Sequence, residues 1–390
     1  MLEFPFWALL ALPLLFLAGW LARGYEARVR VAEQGGAPQA LFRGVNLLLN
    51  DQPDAAIDAF ISVAQADPRT VELHHALANL FRRRGEFERA VRIHTFLVGR
   101  GDLPAAEQAR AVLELAHDYL KGGMLDRAEA HYAQLLDQPT WRFAALRELL
   151  RIHAMTRDWD KAIERARELE REAGENHRVD IAHFHCEQAE RALAGGQRDE
   201  AARQLEEARV ADPRSVRAAA LAGQLALDGG DARQAIESWR QIAERSPEHL
   251  PLVAERLALA MDSAGEREGA LELLRTAMLQ QPNPDLIEVA SRRIAQWQGT
   301  PVAEALVHEA LQRQPSLGGF ERLLALRAAA APDAAELEQL RSLISVQARR
   351  LARYRCRECG FRTRSFTWQC PGCQAWDTYP PRRLEELDAA

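Results

Sequence analysis

The sequence predicts an all-α fold, a tetratricopeptide-repeat superhelix with an N-terminal transmembrane helix and a small C-terminal zinc-ribbon-like β module. Three observations carry this: an alanine that returns with a period near 34 residues, nineteen uncharged residues at the start, and two C-x-x-C pairs near the end. Each constrains a different part of the 390 residues.

Ala56, Ala90, Ala128, Ala162, Ala201, Ala235, Ala270 and Ala303 are spaced by 34, 38, 34, 39, 34, 35 and 33 residues. A period of this length marks helix-turn-helix repeats, because one such unit cannot bury its own apolar face and must stack on its neighbours. Other positions keep step. Gly85, Gly123, Gly196, Gly230 and Gly265 lie five residues before an alanine, where a helix C-terminus needs left-handed backbone. Pro68, Pro213, Pro247, Pro282 and Pro315 lie twelve after one, where a helix must stop. Bulky side chains stand four after (Phe60, Tyr132, Leu205, Trp239, Leu274) and nine before (Leu47, Phe81, Tyr119, Met261), to pack against the small alanine. Ala162 has no such glycine, and Gly299 stands one place late for Ala303. About eight repeats are expected over 37–331.

Composition agrees. The chain is 47% hydrophobic and 27% charged, enough to bury a sizeable core, and its net charge of -6 argues against a general nucleic-acid binder. Four of the five cysteines cluster between 356 and 373, which suits a metal site in a reducing compartment better than a disulfide scaffold. Cys186, which directly follows His185 and stands three after His183, is expected to be a buried structural thiol, since residues two apart on a helix, such as His183 and His185, do not face each other.

Residues 4–22 carry no charge and are nearly long enough to cross a hydrocarbon core of about 30 Å as a helix. A cleaved signal peptide would want a positive start and a shorter apolar core, so residues 1–23 are expected to be an anchor. Arg23, Arg28 and Arg30 follow the span and no lysine or arginine precedes it, which places the repeats on the cytoplasmic side. A linker over 24–36 follows.

Within the repeats, the positions fifteen and eleven before each alanine define one stripe of the first helices. With nearby cations it gives His75, Asn79, Arg82, Arg83, His117, Lys121, Arg147 and Arg151 as a basic partner-binding groove, and Glu255, Asp262 and Glu288 as a more acidic far half. Such a surface would hold an acidic peptide. A solvated face is the competing reading.

An amphipathic helix is expected over 332–354, capped by Asp333, then a module over 355–381 and a tail over 382–390. Cys356, Cys359, Cys370 and Cys373 are arranged as two knuckles that can point four thiolates at one tetrahedral ion, zinc or iron. Four thiolates close the coordination shell, so the site is expected to be structural. Gly360 suits the turn of the first knuckle, and Phe361, Phe366, Trp368, Trp376 and Tyr379 are expected to jacket it. Arg349, Arg350, Arg353, Arg355, Arg357, Arg362 and Arg364 surround the module, as a docking face for the repeats, a contact with lipid headgroups, a plain solvated face, or a nucleic-acid ribbon, with docking on the repeats or the membrane ranked above nucleic acid.

This order of parts, with YRCRECGFRTRSFTWQCPGCQAWDTYPP at 354–381, resembles the lipopolysaccharide assembly protein B family of Gram-negative bacteria. The resemblance implies a cytoplasm-facing inner-membrane adaptor with a rubredoxin-like end. It also implies partners: a membrane-bound ATP-dependent protease (FtsH), the deacetylase of the committed step of lipid A synthesis (LpxC), whose degradation the adaptor promotes, and other lipopolysaccharide enzymes. Nucleic acid is not expected, and self-association is left open. Gln374 stands where the second knuckle of rubredoxins usually has glycine, and the stretch between the pairs is short, which weighs against electron transfer. Walker A, H-E-x-x-H and G-x-S-x-G patterns do not occur, so an enzyme is not expected. A redox carrier or a nucleic-acid binder acting through the module is the alternative.

Overall fold

The computed structural model describes residues 42–47, 49–50, 52, 54–59, 71–331 and 334–385. The expected anchor and linker lie outside them, as do Asp333 and the last five residues of the tail. Among the described residues no helix is long and apolar enough to cross a membrane. The chain divides into two compact units, 1–156 and 157–390.

In the first unit, helical residues at 42–47 and 54–59 precede α1 (Val71–Arg83), α2 (Phe87–Val98), α3 (Ala105–Lys121), α4 (Leu125–Ala133) and α5 (Arg142–Thr156). The second unit continues with α6 (Trp159–Ala173), α7 (Arg178–Ala194), α8 (Arg198–Ala211), α9 (Val216–Asp228) and α10 (Ala232–Arg245). A 3-10 turn (Pro247–Leu252) leads to α11 (Ala254–Ser263), α12 (Arg267–Gln280), α13 (Pro284–Gln298), α14 (Thr300–Arg313), α15 (Leu317–Ala330) and α16 (Ala335–Leu351).

All eight periodic alanines are fully buried, at 0% exposure. The large residues four places on meet the small surface this leaves: Tyr132, Trp239 and Leu274 are also at 0%. Trp239 is the tightest example. Its ring fills the space above Gly223, where an added Cβ would lie 2.3 Å from Nε1, and that Nε1–H donates to the carbonyl of Ala220 at 3.1 Å.

The glycines behave as their positions demand. Gly85, Gly123, Gly196, Gly230 and Gly265 all have φ between 73° and 86°. At each, the following N–H closes a six-residue loop onto the residue nine before the alanine: Glu86 to Phe81, Met124 to Tyr119, Gln197 to Ala192, Asp231 to Ala226 and Glu266 to Met261. This is the Schellman closure. Where the sequence lacks the glycine, Arg157 takes the left-handed conformation in its place, at φ 58°.

Four expectations need correction. The helix expected to run to 354 ends at Leu351, where residues 352–355 become β1 (Ala352–Arg355). The module also extends past 381, since β3 (Leu384–Glu385) joins a three-stranded antiparallel sheet of order β2-β1-β3 with β2 (Arg362–Thr363). Nor does α16 stand apart from the repeats: it packs beside α15 as a further hairpin. Its N-cap position is Ala334, which offers no side-chain cap.

Candidate metal centre and its seat on the repeats

Two knuckles with the same backbone build the centre. In the first, Cys356 N–H donates to Phe361 O at 2.9 Å and Gly360 N–H returns to Cys356 O at 3.1 Å. In the second, Cys370 N–H donates to Ala375 O and Gln374 N–H to Cys370 O, both at 2.9 Å. The residue closing each turn must be left-handed: Gly360 has φ 74° and Gln374 φ 64°. Glycine adopts this without cost, whereas glutamine is strained by roughly 1–2 kcal/mol.

The turns bring the four thiols within 4.8 Å of one another, with Cys356 Sγ 3.8 Å from Cys373 Sγ and Cys359 Sγ 3.6 Å from Cys370 Sγ. A regular tetrahedron with metal–sulfur bonds of about 2.3 Å has edges of about 3.8 Å, so the donor set fits a tetrahedral ion. Cys356 and Cys370 are buried, together with Tyr354 and Tyr379, while Cys359 and Cys373 face outward. Burial opposes ionising Cys356, but hydrogen bonds from the Thr378 hydroxyl and the Cys359 and Glu358 backbone outweigh it and bring the thiol down to about 6. The Ala375 backbone favours a thiolate at Cys373, yet burial and the three neighbouring thiols push it up to about 12. Four thiolates this close need a cation to coexist.

Of the expected jacket, Tyr379 is buried and Phe366 packs on the inner pair, but Phe361 is 46% exposed. Trp368 meets Phe366 edge-on at 4.9 Å, and both Trp368 and Trp376 also face the repeats. Trp376 stacks on His183 of α7, with centroids 4.5 Å apart and planes at 13°, and meets Phe184 edge-on at 6.2 Å. Arg217 of α9 lies 5.7 Å over the same indole, held by Glu187 at 2.7 Å and Glu190 at 3.0 Å. Trp368 stacks with His249 at 6.3 Å, and Asp377 Oδ1 lies 2.9 Å from His183 Nε2.

A second contact pins the other end. Asn283 caps α13 by accepting from Asp285 N–H at 3.0 Å, while its amide donates to Pro381 O at 2.9 Å. Asp285 accepts from the Tyr354 hydroxyl at 3.2 Å and pairs with Arg383 at 3.1 Å. The seat thus combines ring stacking with ion pairs and hydrogen bonds, made from the module by Trp368, Trp376, Asp377, Tyr354, Arg383 and the Pro381 carbonyl. Cys186 is the buried structural thiol expected, at 0% exposure, with burial pushing it up to about 12. His185 bonds Gln204 at 2.7 Å. Sequence reasoning named no residue of α9, α13 or the 3-10 turn for this seat.

The groove residues fall into two groups. His75 is 1% exposed and bonds His94 at 3.2 Å, His94 meets the fully buried Asp118 at 2.5 Å, and Arg82 pairs with Asp118 at 2.9 Å and Glu114 at 2.6 Å and bonds Asn79. These are members of an internal polar network, so His75 is not surface and Arg82 is already neutralised. His117 is half-buried against Tyr132. Arg83, Lys121, Arg147 and Arg151 are exposed, Arg151 lying 3.8 Å from Glu148. In the far half, Glu255 is paired with Arg293 and Asp262 with Arg267, while Glu288 is exposed.

A family model described as the rubredoxin metal binding domain matches residues 354–381. The lipopolysaccharide assembly protein B of Escherichia coli (strain K12) is 33% identical over 98% of this chain and 99% of its own length. This chain belongs to the lipopolysaccharide assembly protein B family. The Haemophilus influenzae member is 29% identical over 97% of this chain and 98% of its own. Among solved structures, the TPR2AB-domain:pHSP90 complex of yeast Sti1 aligns at 16% identity, covering 71% of this chain and 99% of that one with a TM-score of 0.34. The repeat fold stands on the buried alanines and helix closures, and membership ties it to lipopolysaccharide assembly.

Proposed function

We propose that this chain is a non-enzymatic adaptor of lipopolysaccharide assembly, tethered to the inner membrane by residues 4–22, with repeats and module in the cytoplasm. The repeats hold segments of other proteins, and the metal fixes the shape of the module that sits on them. The observation that carries this reading is the docked module: its four thiols form a closed set, and the tryptophans beside them are spent on α7 and the 3-10 turn. A closed thiolate set lends integrity and leaves no open position for substrate. When bound, zinc or iron would supply neutralisation of the thiolates, and Cys356, Cys359, Cys370 and Cys373 would hold it.

The finer reading is that the adaptor presents the lipid A pathway deacetylase LpxC to the membrane-bound protease FtsH and gathers other lipopolysaccharide enzymes. Arg83, Lys121, Arg147 and Arg151, the exposed cations of the expected groove, are where an acidic client segment would bind. Covalent capture of neighbours in the membrane tests it, comparing the full chain with one lacking residues 1–23. The protease and the deacetylase should be captured by the full chain and lost without the anchor. Equal capture by both would refute local tethering.

A further inference from the structure

The helix α16 covers α15 with one face and leaves another bare. Leu340, Leu343 and Val346 are 45%, 62% and 57% exposed, on a helix whose buried residue is Ala348. At 100° per residue, positions 336, 339, 340, 343, 346, 347 and 350 all fall within 60° of Leu343. Glu336, Gln339, Gln347 and Arg350 are exposed too. Along this face the order is acid, amide, three apolar residues, amide, base. It is symmetric in size about Leu343 and antisymmetric in charge.

From this pattern we infer that α16 is the contact through which two copies of the chain pair, antiparallel, about a two-fold axis at Leu343. An isologous contact requires one patch to complement itself. Turned end for end, the face sets Leu343 on its counterpart, Leu340 on Val346 and Gln339 on Gln347. Glu336 meets Arg350 at both ends, about 21 Å apart along the helix. The parallel arrangement would oppose like charges at both ends. The helix ends favour the same choice, because Glu336 and Glu338 lie in the first turn and Arg349 and Arg350 in the last. A dimer would display two repeat arrays from one membrane site, raising avidity for a client with two recognised segments.

Sedimentation velocity of the full chain in detergent at micromolar concentration tests this. The wild type should sediment as a dimer and Leu343→Asp as a monomer of unchanged helicity. Arg350→Glu should weaken pairing at least about tenfold by setting glutamate against glutamate. Adding Glu336→Arg to it should restore pairing, which happens only if the two positions face each other. A monomeric wild type, or pairing indifferent to Leu343→Asp, overturns the proposal. So does a monomer whose sedimentation with anionic phospholipid vesicles is lost in Leu343→Asp, an outcome that gives the face to the membrane surface.

Discussion

Trp376 lies flat on His183, their ring centroids 4.5 Å apart across 193 residues of sequence. This contact joins the metal module to the helices, and it separates two properties that are easily confused, holding a metal and being held in place.

Trp376→Ala should leave the four thiols and their metal intact but loosen the module from α7. The variant should bind the same amount of metal, become sensitive to protease within the module at 352–385, and lose about 2–4 kcal/mol of stability. Loss of metal together with loss of the seat would mean that the two are one cooperative unit.

Gln374→Gly relieves a left-handed glutamine at the turn of the second knuckle. It also removes a side-chain bond to Pro371 O at 3.1 Å, so the net gain should be about 1 kcal/mol. Slower metal transfer to a competing chelator would report it. Faster transfer would show that the side chain matters more than the backbone.

Gly223→Ala should be among the most damaging single-methyl changes in the second unit, because the new carbon would overlap the Trp239 indole. Overpacking of this kind costs about 1–3 kcal/mol. Trp239→Phe in the same chain should recover part of the loss, measured by urea unfolding.

His75 is held down to about 4 by burial first and by His94 second. Its folded value lies below its ordinary 6.5, so the unfolded chain takes up the proton more readily. The stability of the neutral form is complete above about pH 6.5 and falls as the pH drops toward 4, by up to about 3 kcal/mol. His75→Leu should flatten the acid limb of stability against pH by about one proton. An unchanged slope would place the uptake elsewhere.

Much of this was written in the sequence, and the reason differs by region. The repeats were legible because their contacts are local and recur. Every periodic alanine is buried, and even the missing glycine before Ala162 left its trace in Arg157. The metal ligands were legible because each pair lies within a few residues. His183 and Asp377, or Asn283 and Pro381, carry no such signal, since they meet only through the tertiary fold. The groove shows the same limit from the other side: counting placed His75 and Asn79 on one face with Arg82 close by, but Asp118 and His94 come from neighbouring helices and convert that face into interior.

The four-cysteine module is locked onto the repeat helices. Hydrogen exchange on the full chain, metal-loaded against the Cys370→Ser variant, tests it most directly. Amides at 178–187, 247–252 and 283–287 should lose protection along with the module, while α10 and α12 keep theirs. Unchanged protection in those three segments would contradict the account.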